Sequence, residues 1–170
     1  AFGGWSGRTA YNRGQVVYRV AEVLESRRAQ FEAELVGAGS AAAQAGVEVD
    51  AAVDRLVWYA GWTDKIAQVH GSANPVAGPY FNHSAPEPAG VVAVVAPASP
   101  LLGLVSVVAP LIAVGNTCLV IASQPAPLVA ITFAEVLATS DVPGGVVNIL
   151  TGDAAEIAPW LASHMDVNGL

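Results

Sequence analysis

The chain has 170 residues, enough for one domain with a real core, and is 54% hydrophobic but only 12% charged. Its formal net charge of −7 argues against nucleic acid, whose phosphates need clustered Lys and Arg. All seven basic residues lie between Arg8 and Lys65, so an anion held by the later part would depend on backbone N–H groups, hydroxyls or a helix N-terminus.

From Tyr11 to Val36, Val16, Val17, Val20, Val23, Leu24, Phe31 and Leu35 recur at helical spacing. Arg13, Arg19, Glu22, Arg27, Arg28 and Glu32 fall largely between them as a solvated face. Gly37 and Gly39 stop this helix, and GAGSAAAQAG reads as a weakly specified connection. A second helix is predicted from about Asp50 to Val69, with Val53, Leu56, Val57, Ala60 and Ile66 buried. Trp58, Tyr59 and Trp62 are expected to pack the two helices together.

The stretch 74–90, NPVAGPYFNHSAPEPAG, carries four prolines around Tyr80-Phe81 and reads as extended edge segments. The pattern then changes. Val91–Ala96, Cys118–Ala122 and Val146–Leu150 are short β-branched runs without alternation, as in strands covered on both faces. Helical stretches alternate with them at Pro100–Val114, Pro127–Leu137 and Ala154–His164. The result is a single α/β domain over 1–170: a helical part (1–70), an edge segment (71–90) and a βαβαβα part (91–170) forming an incomplete, Rossmann-like parallel sheet. Ser99 can cap the first of these helices, Pro100 suits its first turn, Gly115 suits its end, and Pro110 lies inside it.

No charged residue occurs from Pro88 to Ala134, yet the longest clean piece, Leu101 to Val114, is short of the ~20 apolar residues of a span. A buried sheet explains the run better than a membrane. Cys118 is the only cysteine, which points to a reduced, cytoplasmic setting, and AFGGWSGRTA lacks the pattern of a signal peptide.

In open parallel sheets, ligands sit beyond the carboxyl ends of the strands. Those ends are Ala96-Pro97-Ala98-Ser99, Ser123-Gln124 and Thr151-Gly152-Asp153. The first turn feeds a helix N-terminus, which favours an oxyanion, but G-x-G-x-x-G is absent and Asp153 would repel one. His70, His83 and His164 are far apart, with no metal-ligand spacing. Cys118 lies in a predicted buried strand and reads as a small hydrophobe rather than a nucleophile. No catalytic residue and no metal site is expected from the residues alone.

Four segments resemble the aldehyde dehydrogenase superfamily. EPAGVVAVVAP (87–97) resembles its E-P-x-G-V-V segment, and LIAVGNTCLVI (111–121) its A-L-x-x-G-N-T-V-V segment. VPGGVVNILTG (142–152) resembles its P-P-G-V-V-N-V-V-x-G segment, and VWYAGWTDKI (57–66) is similar to its Y-x-A-G-W-A-D-K helix. The resemblance implies oxidation of an aldehyde with NAD or NADP, the cofactor meeting Ala96, Pro97, Ala98, Ser99, Gln124 and Gly152. It places Ser99 where the family has an oxyanion-holding asparagine, Ile121 where it has a ribose-binding lysine, and Gln124 where it has a nearby acidic residue. The family's nucleophilic cysteine and its glutamate base belong to a later part of its sequence. The resemblance therefore implies a fragment of a longer chain, non-catalytic by itself, and it is similar to the degenerate second copy in long, two-domain members. The alternative is a structural or oligomerisation module without cofactor, whose partner is a second copy or a catalytic dehydrogenase domain; the family uses the segment 74–90 as an oligomer-building hairpin.

Overall fold

The computed structural model describes residues 1–170. A short helix α1 (Phe2–Ser6) leads into α2 (Ala10–Ser26), whose first turn is capped by Thr9: its hydroxyl oxygen accepts from Asn12 N–H. Helices α3 (Arg28–Gly37), α4 (Ala42–Trp62) and α5 (Ile66–His70) follow. The expected helix Tyr11–Val36 is thus two, broken at Arg27 (φ −102°, ψ 15°). The apolar stripe survives the break, because Val16, Val17, Val20, Leu24, Phe31 and Leu35 are all buried.

The expected connection GAGSAAAQAG is corrected likewise. Only its first residues turn; Ala42 onward is helix, and α4 begins eight residues before Asp50. Its buried stripe is Ala45, Val49, Ala52 and Leu56, whereas Val57 is exposed. Small residues at Ala45 and Ala52 let α4 lie close against its neighbours. The aromatic expectation holds for Tyr59, which packs against the core, and changes for Trp58, which is exposed, tilted against Trp62 (centroids 5.2 Å) and edge-on to Tyr59 (4.8 Å).

Residues 72–84 form an antiparallel hairpin, β1 (Ser72–Asn74) with β2 (Asn82–Ser84), in register Ser72 to Ser84. A three-stranded parallel sheet follows: β3 (Val91–Val95), β4 (Thr117–Ile121) and β5 (Val147–Leu150), in the order β3-β4-β5. Helices α6 (Leu102–Ala113), α7 (Pro127–Ala138) and α8 (Ala154–Ala162) alternate with the strands, as the sequence predicts. Only β4 is covered on both faces; Val95 at the end of β3 is half exposed and α8 has no buried residue.

One core of 29 buried residues unites the halves, with Trp5, Phe31, Leu56, Leu104, Ile112 and Phe133 its large members. Helix α6 is the axis of that core and is finished by groups from the N-terminal helices. At its C-terminus, Gly115 (φ +97°) allows a Schellman turn in which Asn116 N–H donates to Leu111 O and Gly115 N–H to Ile112 O. Trp5 Nε1 donates to Ile112 O (3.0 Å) and Arg13 Nε to Ala113 O (3.1 Å). Helix α6 runs on through Pro110, which lacks the N–H that would bond to the Ser106 carbonyl.

Candidate functional site at the carboxyl ends of the parallel strands

Parallel pairing puts the three strand ends on one edge. The ladder extends past the strands proper: Ala96 N–H donates to Ile121 O and Ala122 N–H to Leu150 O, each at 2.8 Å. Beyond it, Ser123 Oγ donates to Ala98 O (3.2 Å), tying the β4 end to the β3–α6 turn. Ala96, Pro97, Ala98, Ser99 and Gln124 therefore come together, and Gly152 stands at the β5 end of the same edge, separated from Ser99 by the width of β4. Pro97, Ala98, Gln124 and Gly152 are exposed, while Ala96 is buried under the turn. Gly152 sits at φ +141°, a conformation that side chains rarely adopt.

Ser99 does not cap α6. Its hydroxyl donates outward to Glu48 Oε1 on α4 (2.7 Å), and the same oxygen accepts from Leu101 N–H (2.9 Å) and Leu102 N–H (3.1 Å). The helix begins after Leu101, two residues later than a Ser99 cap would place it, and a carboxylate 51 residues upstream satisfies its first donors. Sequence reasoning missed Glu48 altogether. The available signal was the stripe Ala45-Val49-Ala52-Leu56, which would have carried α4 back through it.

At the other flank, Asp153 caps its own helix, accepting from Ala155 N–H (2.8 Å), with Glu156 in the first turn. The first turn of α7 has no side-chain cap. Neither Glu48 nor Asp153 forms a salt bridge: Arg27 pairs with Glu135, Arg28 with Glu32 and Asp50, Arg19 with Glu22 and Lys65 with Asp64, while Arg55 donates to Ser106 Oγ and Arg13 to Ala113 O. The edge is open and hydrogen-bonding, but the charge at α6 and α8 is negative. It fits the uncharged parts of a dinucleotide and does not fit its phosphates at those two helix ends.

Ile121, where the resemblance implies a ribose-binding lysine in the family, is wholly buried and lines an apolar cavity of about 300 Å³ with Val94, Val107, Ala158 and Leu161. Cys118 is buried in the middle strand, where loss of solvation pushes its thiol up to about 12. His70 ends α5, His83 lies on β2 and His164 follows α8, and no three His, Cys, Asp or Glu side chains converge to hold a metal ion. A groove of about 860 Å³ runs between α2 and α4 and takes no lining from the strand ends. No helix is long and apolar enough to cross a membrane.

Comparison with known proteins agrees with this architecture. The family model described as "Aldehyde dehydrogenase family" matches residues 1–170. The chain is 33% identical over 167 residues to "Aldehyde dehydrogenase, cytosolic 1" of Elephantulus edwardii, and 34% identical over the same length to "Retinal dehydrogenase 2" of Gallus gallus. Each match covers 96% of this chain but only 33% and 32% of the relative, so the chain spans about a third of the length of those relatives. Among solved structures, an aldehyde dehydrogenase from Brucella melitensis superposes with TM-score 0.92 at 25% identity, covering 98% of this chain and 35% of that one. PnpE in complex with nicotinamide adenine dinucleotide does so with TM-score 0.92 at 29% identity, covering 98% and 34%. With its βαβ order, its strand-end turn and a match along its whole length, the chain belongs to the aldehyde dehydrogenase family.

Proposed function

We propose that this chain is the cofactor-side part of a protein that oxidises aldehydes with NAD or NADP, and that its own residues do not turn over substrate. The observation that carries the second half is Cys118. A family nucleophile must be an accessible thiolate; the only cysteine here is buried in the central strand with its thiol held protonated. Ser99, at the family's oxyanion-asparagine place, donates its one O–H to Glu48 and has no second donor for an oxyanion. Support for the cofactor class comes from the family and from PnpE, solved with NAD. A cytoplasmic location accords with the relatives named as cytosolic.

The test is aldehyde-dependent NADH formation by the purified chain. No turnover is expected, with NAD⁺ binding followed separately by calorimetry. Turnover by purified material would overturn the non-catalytic reading.

A second reading, an assembly module, rests on the hairpin. Tyr80 and Phe81 at its tip are 76% and 84% exposed, and Phe81 stacks on His83 of β2 (5.7 Å). Two exposed aromatics on a polar ribbon fit a surface that a second copy or a catalytic domain covers. Light scattering on the chain and on a Tyr80→Ser, Phe81→Ser variant discriminates: association lost with the aromatics supports the module, and a monomer in both removes it.

A further inference from the structure

We infer that Glu48 determines what the β3–α6 turn accepts: its carboxylate fills the anion position of the α6 N-terminus, so this edge excludes phosphate there. The inference deepens the proposed cofactor reading and rests on it for the expectation that a dinucleotide approaches the edge at all. An uncapped helix N-terminus attracts anions because its first N–H groups lack partners and the helix dipole is positive there. In this chain, the Leu101 and Leu102 amides and the Ser99 hydroxyl converge on one oxygen, Glu48 Oε1, at 2.9, 3.1 and 2.7 Å. A phosphate would have to displace a carboxylate tethered to α4, a helix anchored in the core by its buried Ala45, Val49 and Ala52. Asp153 closes the α8 N-terminus in the same manner through Ala155 N–H. The hydroxyl, having donated to Glu48, meets a ligand as an acceptor. The turn therefore receives uncharged, hydrogen-bond-donating groups, and the phosphates of a dinucleotide must be met elsewhere.

The test follows the backbone amide resonances of Leu101, Leu102 and Ala155 in the 170-residue chain against pyrophosphate and, separately, NAD⁺. Wild type is expected to show no saturable shift at these amides with millimolar pyrophosphate, and Glu48→Ala to gain one at Leu101 and Leu102. A saturable shift in wild type, or a folded Glu48→Ala chain that gains none, overturns the inference. Should Glu48→Ala fail to fold, Glu48→Ser keeps a polar side chain that is too short to reach the Leu101 and Leu102 amides. It is expected to gain the same saturable pyrophosphate shift at those amides, and a folded Glu48→Ser chain that gains none overturns the inference equally. Failure of NAD⁺ to bind any form counts against the cofactor reading alone, since the pyrophosphate result is read independently.

Discussion

Arg13 Nε donates to the carbonyl of Ala113 at 3.1 Å, joining the first long helix to the last residue of α6 across 100 positions of sequence. The same guanidinium donates through Nη1 to the carbonyls of Arg8 (2.5 Å) and Ser6 (3.4 Å). A cation on the C-terminal carbonyls of α6 answers its dipole, as Glu48 does at the other end. Burial lowers the pKa of Arg13 from its ordinary value. Arg13→Met keeps much of the apolar stem but leaves three carbonyls without this donor, and is expected to cost about 1.5–3 kcal/mol. Urea unfolding followed by circular dichroism measures it; a loss below about 0.5 kcal/mol would show that water replaces the guanidinium.

Gly14 sits where α2 crosses α4. A Cβ there would lie 2.5 Å from Thr63 Oγ1 and 3.0 Å from Ala60 O. Thr63 is held by its own bond to Ala60 O (2.9 Å) and cannot swing away freely. Gly14→Ala is expected to destabilise by about 1–3 kcal/mol, since overpacking here must move two helices. In a Thr63→Ala background the nearest clash is gone and the cost should shrink, giving a favourable coupling in a double-mutant cycle. An additive cycle would place the strain at Ala60 instead.

How much of this was legible depends on whether a residue's meaning is local. Val91–Val95, Thr117–Ile121 and Val147–Leu150 announce themselves because β-branched runs flanked by Gly and Pro leave little choice, and their ends fall within a residue of the sequence reading. The break at Arg27 did not show, because Leu24 and Phe31 keep helical phase across it; it is fixed by tertiary pairing, including Arg27 Nη2 with Glu135 (2.6 Å). The start of α4 was hidden by alanines, which bury as well as valine but carry no periodic signal. At the site, the strand-end turn was visible but its electrostatics were not: Ser99 reads as a cap until Glu48, distant in sequence, is seen to accept its hydrogen bond.

Asp141 is the one non-glycine residue at positive φ (62°), in the turn after α7. Aspartate tolerates this region better than most residues, yet glycine enters it without a Cβ penalty. Asp141→Gly is therefore expected to raise stability by about 0.5–1 kcal/mol, the relief of strain exceeding the entropy lost from a freer unfolded chain. Thermal unfolding measures this as a higher Tm; a lower Tm would mean that the entropy term wins.

Cys118 yields a pH dependence whose sign follows from its burial. The thiol's ordinary value is 9.0 and burial pushes it up to about 12. Below pH 9.0 both folded and unfolded chains hold the proton, so the group adds no slope. Between 9.0 and about 12 the unfolded chain releases the proton while the folded chain keeps it, so stability must fall as pH rises through that window. Cys118→Ala removes this slope, and denaturant titrations of both proteins across alkaline pH should converge below pH 9.0 after allowance for a constant cavity cost. The same burial predicts slow alkylation of the native thiol by iodoacetamide and rapid alkylation in urea. Equal rates in the two states would mean that the central strand opens readily and that Cys118 is accessible in the native chain.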